Sequence, residues 1–504
     1  MQLIVLFNLT LSCIFFNFVM KPRKKNNKMK YFTTAIFAVA FTIGMNAQTE
    51  CIDGMAGEYA CSGYDLISTL SLGEMGISSN GNDCWGWTDP EDGVEYALMG
   101  GNNRTVFIDI SDPVNPVIIG HLETASSPSL WRDIKVYNDH AFIVSEASGH
   151  GMQVFDLTRL RDVVNPPVTF DVDAYFDEFG HAHNIAINEE TGYAYPIGAG
   201  AFNGGPIFVN IQDPLNPVSE GGYDGDGYSH DAQIVVYNGP DTEHVGKEIY
   251  LGFNTNSLTI VDITDKSDPI QLSRTTYDQS AYTHQGWMDE DHIKVYMNDE
   301  IDESDFGFNT RTLIMDCTDL DEPVLQEEHF GETASIDHNL YVKGDNIFQS
   351  NYTSGLRVLQ INDDEENPLE EVGFFDVYPA NDATSYSGTW SNYPYFESGN
   401  VIISSFDGFF IVKAQGTGVG VEEFDVENIE VYPNPAQDNL NISIPNNLVV
   451  EKFTITDITG RVIMAKTDMS KQSNIYTIDV SNLLSGTYFI GVNDNSTTKK
   501  FVVQ

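Results

Sequence analysis

Positive charge is what this chain lacks most. Its 504 residues hold 25 Lys and Arg against 74 Asp and Glu, a formal net charge of −49. Nucleic acid and anionic membrane surfaces would repel such a chain, which excludes both as partners. Cysteine is scarce as well, with five residues, one of them (Cys13) in an N-terminal leader. Cys51 and Cys61 have no second close pair, so a cysteine-rich metal module is excluded. Helical periodicity is weak throughout, and the chain reads as all-β. No Gly-x-Ser-x-Gly elbow stands between a strand and a helix, and no phosphate-cradling glycine loop is found. Beyond the N-terminal region no run is long and apolar enough to span a bilayer.

What is present begins with export. Met29-Lys30, the apolar stretch Ala35–Phe41 and the small-residue end Met45-Asn46-Ala47 make 29–47 a secretory signal peptide, with cleavage leaving Gln48 first. Leu3–Met20 is apolar and Lys21–Lys28 is basic, a pattern open to a membrane anchor. The expectation is instead that translation starts at Met29 and that 1–28 is a mis-assigned leader. In an oxidising compartment a Cys51–Cys61 disulfide is the simplest pairing, while Cys84 and Cys317 either pair or stay buried. The acidity reads as solubility, with calcium binding as the alternative. Asp224-Gly225-Asp226-Gly227 and Asp363-Asp364-Glu365-Glu366 are candidate calcium ligands, though neither has the spacing of a complete calcium loop.

One phrase recurs: an apolar strand, an acid or amide, then a turn rich in Asp, Asn and Pro. It reads Val106–Pro113, Val154–Thr158, Phe208–Pro214, Ile260–Asp265, Ile314–Asp319, Val358–Asp363 and, without its turn, Phe410–Ala414. Seven copies at a spacing of roughly 50 residues predict a seven-bladed β-propeller over 85–414. The last copy has no outer strand after it, because the chain passes into a linker at 415–428. An empty slot would leave an exposed edge. Asp65–Leu72, in the N-terminal segment 48–84, is predicted to fill it.

These phrases also carry a resemblance. Asp53–Gly57, Trp131–Val136, Gly149–Thr158, Ala182–Ile185, Ser229–Gln233, Tyr282–Trp287 and Asp337–Tyr341 resemble the choice-of-anchor B family, and the strand phrase resembles the LVIVD repeat. The resemblance implies architecture and a variable C-terminal anchor rather than an activity. At the C-terminus, Val431–Ala436, Ile455–Val462, Leu484–Ile490 and Lys499–Val503 are short alternating strands, a small Ig-like β-sandwich over 429–504. Their wording resembles the C-terminal sorting domain of the Bacteroidetes type IX secretion system. That resemblance implies the secretion machinery as partner, removal of the domain, and a place outside the cell or on the outer-membrane surface.

Aligning the seven units gives a pair at the start of each innermost strand. The pairs are Trp85-Gly86, Arg132-Asp133, His183-Asn184, His230-Asp231, His284-Gln285, His338-Asn339 and Thr389-Trp390. Four consecutive blades offer a histidine at one level, beside one mouth of the central channel. Imidazoles from His183, His230, His284 and His338, with Asp231, are candidate ligands for a transition metal. The competing reading has each histidine bonding the next blade's backbone and sealing the ring. Arg132 breaks the series and, with Asp133, is a candidate to hold an acidic ligand. Trp85, Trp131 and Trp287 are expected near the same mouth, as packing between blades or as a stacking surface for a sugar or peptide. The functional expectation is a secreted module that binds an extracellular ligand or protein. Its alternative is a metal-dependent enzyme at the histidine-lined mouth.

Overall fold

The structure, a computed structural model, describes residues 48–416 apart from 363–366. It also describes 430–503 apart from 438, 444–451, 458–461, 467–470, 473–474, 482, 484–485 and 493–496. The expected leader and signal peptide (1–47), nearly all of the expected linker and the Asp363–Glu366 calcium candidate lie outside the described residues. Seven sheets, antiparallel except for one added strand in the first, form around strands between Gly81 and Ala414, each built outward from an innermost strand. Those innermost strands are Gly81–Thr88, Arg132–Tyr137, Asn184–Asn188, Asp231–Val236, Thr283–Met288, Asp337–Lys343 and Thr389–Tyr393. Each packs on the next, and the seventh packs back on the first, closing a seven-bladed propeller.

The apolar core is a set of seams between neighbouring blades, which explains why the strands read as continuous apolar runs. Tyr250 of blade four points back to Tyr195 and Phe208 of blade three. Its neighbours Ile249 and Leu251 point forward to Val295 and Met297 of blade five. Successive side chains leave opposite faces of a strand, and here both faces are buried. The acid that ends each repeat has a local task. The carboxylate or amide of Asp109, Asp156, Asn210, Asp262 and Asp316 accepts the backbone N–H two residues on, closing a turn. Part of the acidity is therefore turn chemistry. Asp226, weighed above as a calcium ligand, is occupied by Asn254, Ser257, Thr259 and Arg274.

Tyr64–Ser71 pairs antiparallel with Gly408–Ala414 and is the outer strand of blade seven. The hairpin before it goes elsewhere: Tyr59–Ser62 pairs with Leu369–Phe375 and extends blade six. A Cys51–Cys61 disulfide ties that segment, and Cys84 and Cys317 are free and buried. Blade one gains a fifth strand from the blade-two connection, where Val168–Phe170 pairs in parallel with Val117–Glu123. At the C-terminus two four-stranded sheets enclose Leu440, Ile442, Ile455, Ile490 and Phe501. Among the described residues no helix is long and apolar enough to cross a membrane.

Candidate metal centre at the channel mouth

Two consecutive residues face the channel at the start of each innermost strand. Blade-to-blade bonds show which residues share a level. The amide of Asn184 donates to His230 O, Nδ1 of His230 donates to His284 O at 3.1 Å, and Nδ1 of His338 donates to Trp390 O at 2.5 Å. The first level is therefore Asn82, Arg132, His183, His230, His284, His338 and Trp390. Below it lie Asp83, Asp133, Asn184, Asp231, Gln285, Asn339 and Ser391. This corrects two of the aligned pairs. Blade one contributes Asn82-Asp83 rather than Trp85-Gly86, and blade seven contributes Trp390-Ser391 rather than Thr389-Trp390. The cause is backbone geometry. Pairing registers shift between Gly81 and Cys84, Thr283 and Gly286, Asp337 and Leu340, and Thr389 and Ser391. Such bulges re-aim side chains, and two of them carry His284 and His338.

The four imidazoles form one column. Ring centroids are 4.3 Å apart for His183 and His230, 4.1 Å for His230 and His284, and 4.5 Å for His284 and His338. A carbonyl only accepts, so Nδ1 of His230 and of His338 carries the proton and Nε2 keeps its lone pair. Nδ1 of His183 is likewise bound, to Glu146 Oε1 at 2.6 Å. Burial holds His230 and His284 well below the usual histidine range and brings His338 down to about 3. These rings are neutral near pH 7, the form that ligates metal. His284 is 1% exposed, and the His338 backbone is the only hydrogen-bonding neighbour of its ring.

Glu300 completes the group. Its Oε1 lies 3.8 Å from Nε2 of His284 and 3.9 Å from Nε2 of His338, and accepts from Tyr352 Oη at 2.9 Å. Burial pushes its carboxyl up to about 7. One ion bonded at about 2.1 Å to tetrahedral ligands holds them ~3.4 Å apart, so a shift of a few tenths of an ångström suffices. The space among the rings is about 10 Å³, sized for one water or one ion rather than an organic substrate. Glu300 was not legible as a ligand in the repeat phrase. It follows the second strand of its blade, as do Glu146 and Tyr352, and aligning that position would have exposed all three.

The other candidates fall elsewhere. Arg132 is 2% exposed, and its guanidinium reaches Gly101 O, His150 Nε2 and Thr124 Oγ1 rather than the column. Asp133 accepts from Ile134 N, Lys135 Nζ and Ile185 N in the level below. Asp231 sits in that same level, pushed up to about 7 by burial and then by Asp133, and is not grouped with the imidazole nitrogens. The tryptophans separate. Trp131 and Trp390 border the histidine cleft. Trp85 and Trp287 line a different pocket of about 290 Å³, further along the inner strands, with Lys135, Gln233, Tyr393 and Tyr395. They share one mouth in sequence order only, because both stand five residues into their strands. A second carboxylate–histidine group joins Asp241 and Asp321 to Nε2 of His244, with Lys247 Nζ 3.1 Å from the opposite nitrogen, Nδ1.

Residues 430–504 match the secretion system C-terminal sorting domain family. The chain carries a secretion sorting domain. Residues 95–124 and 245–276 match the LVIVD repeat, in blades one and four. No curated protein matches the chain. Among solved structures it is similar to a functionally unknown protein from Desulfotomaculum acetoxidans DSM 771, with 12% identity over 61% of this chain and 89% of that one and a TM-score of 0.42. The sorting domain makes the chain a secreted or cell-surface protein that engages the type IX machinery.

Proposed function

We propose that this is a secreted β-propeller that binds one first-row transition-metal ion at its channel mouth and offers the ion's open side to an extracellular ligand or partner. His284, His338 and Glu300 are the protein ligands, and His230 and His183 continue the imidazole column beside them. In this reading 29–47 is a signal peptide, 48–80 clasps the propeller, whose first strand begins at Gly81 rather than at the expected residue 85, and 429–504 is the tail removed after export. The observation that carries it is the buried group of His284, His338 and Glu300, whose ligand atoms lie within 4.8 Å of one another, with the His338 backbone as the only hydrogen-bonding neighbour of the His284 ring. A buried ring nitrogen without a partner costs about 1–3 kcal/mol, and a metal would remove that cost. Two imidazoles with one carboxylate suit zinc, iron or copper rather than calcium.

The carbonyl bonds of His230 and His338 also seal neighbouring blades, so sealing and ligation use opposite nitrogens of one ring. Elemental analysis of the exported chain, purified without a metal-affinity tag, should give about one transition-metal equivalent per chain. His284→Ala and Glu300→Gln should lose it while keeping the circular-dichroism spectrum. A metal-free chain that stays metal-free after dialysis against zinc, iron and copper would reduce the column to a seal.

A further inference from the structure

The pocket of about 290 Å³ that holds Trp85 and Trp287 lies apart from the histidine column. Its walls come mainly from the residue three places beyond the histidine level on each inner strand: Arg132 leads to Lys135, His230 to Gln233 and His284 to Trp287. At ~3.3 Å per residue this level lies roughly 10 Å further along the channel, toward the opposite mouth. It is two-sided. Blades five, six, seven and one give Trp287, Tyr341, Tyr393 and Trp85. Tyr341 is buried and meets both tryptophans edge to face, with ring centroids 5.2 and 5.7 Å away, which holds them as one wall. Blades two, three and four give Lys135, Ala186 and Gln233, and the small Ala186 leaves the space in front of that wall open.

The polar groups narrow what fits. Lys135 is the only cation among the described residues that line the pocket. Its Nζ already donates to Asp133 Oδ1 at 2.6 Å, Ile134 O at 3.3 Å and Asp83 Oδ2 at 3.4 Å. Two carboxylates match its charge, so an anionic ligand finds no free cation. A cationic ligand is disfavoured too, because Lys135 Nζ already lies over Trp85, 4.5 Å from the ring centroid. The groups still free suit hydroxyls. Gln233 uses its Oε1 to accept from Met288 N, while its Nε2 and the indole N–H groups of Trp85 and Trp287 donate to no described residue. Glu189, exposed where blade three's inner strand ends, adds a carboxylate with no hydrogen-bond or ion-pair partner among the described residues.

An aromatic wall facing amide and carboxylate groups matches a ring with apolar C–H faces and hydroxyls around its edge. We infer that this pocket binds one neutral pyranose unit, its face on the Trp85–Trp287 wall and its hydroxyls toward Gln233 and Glu189. The volume is at the small end of ligand pockets, which suits a single ring rather than a chain. A free monosaccharide and the terminal unit of a glycan present that same ring.

Isothermal titration calorimetry on the full chain tests this with glucose, galactose, mannose, xylose and N-acetylglucosamine, and with disaccharides that end in each. At least one should bind saturably at one site per chain. A disaccharide that binds more tightly than its terminal sugar assigns the glycan terminus, and equal binding assigns the free sugar. Trp287→Phe and Glu189→Ala should each weaken binding by about tenfold or more. Glu189 is exposed and unpaired, so its variant stays folded even should Trp287→Phe not. Stripping the chain with EDTA should leave sugar binding unchanged, which separates this pocket from the transition-metal proposal. No saturable binding by any sugar in the set would overturn the inference, whether or not tetramethylammonium or indole binds instead. So would sugar binding that both variants leave intact.

Discussion

At the scale of single residues, one hydrogen bond decides what each histidine can do. Donation from Nδ1 to a carbonyl fixes the tautomer and leaves Nε2 facing the cleft. The residues that hold a ligand in turn should matter nearly as much. Tyr352→Phe removes the hydroxyl that holds Glu300, and metal affinity should fall roughly 10–100-fold in a competition titration with a chromophoric chelator. His150 shows the opposite use of a ring. Its Nε2 accepts from Arg132 and its Nδ1 donates to Gly151 O, and burial followed by the Arg132 charge lowers its pKa to about 4. The unfolded chain takes up that proton near pH 6.5, so between about 6.5 and 4 it binds more protons than the folded one. Stability should therefore fall as pH drops through this window, by up to about 3 kcal/mol, and His150→Gln should flatten that part of a urea-midpoint profile. The histidines were legible because they recur at one level of a repeat. Glu300 and Tyr352 were not, since they sit after the second strand, outside the recurring phrase.

At the scale of elements, bulges and borrowed strands separate what the repeat predicts from what the chain builds. The repeat predicts a missing strand, and Tyr64–Ser71 supplies it because an open edge beside Phe409 and Ile411 would be costly. The further additions of Tyr59–Ser62 and Val168–Phe170 were not legible. Both are short strands that pair far from their sequence neighbours, and only tertiary context selects them. Likewise, a bulge shifts register without altering the apolar pattern, which is why the pairs of blades one and seven were misaligned. The N-terminal clasp is knotted down locally by the disulfide and by Gln415, whose amide reaches Cys51 O and Asp65 Oδ1. Replacing both Cys51 and Cys61 by Ser should cost about 2–3 kcal/mol, as expected for a loop of this length, and lower the melting midpoint without opening the seven seams.

At the scale of the whole molecule, the ring gives rigidity and the mouth gives chemistry. Seven seams of alternating side chains hold the blades at fixed angles, so residues from blades three to six meet at one level without a dedicated loop to bring them there. The chain's formal net charge of −49 draws cations toward it at long range. Export to the cell exterior puts that mouth where metals and ligands are exchanged with the medium. The central claim is that His284, His338 and Glu300 share one transition-metal ion. Anomalous diffraction from crystals of the exported chain, collected on both sides of the absorption edges of zinc, iron and copper, tests it most directly. The account predicts one strong peak about 2.1 Å from Nε2 of both histidines and from a Glu300 oxygen. Crystals grown with metal present that show no peak there, or a peak only at Asp241, His244 and Asp321, would contradict it.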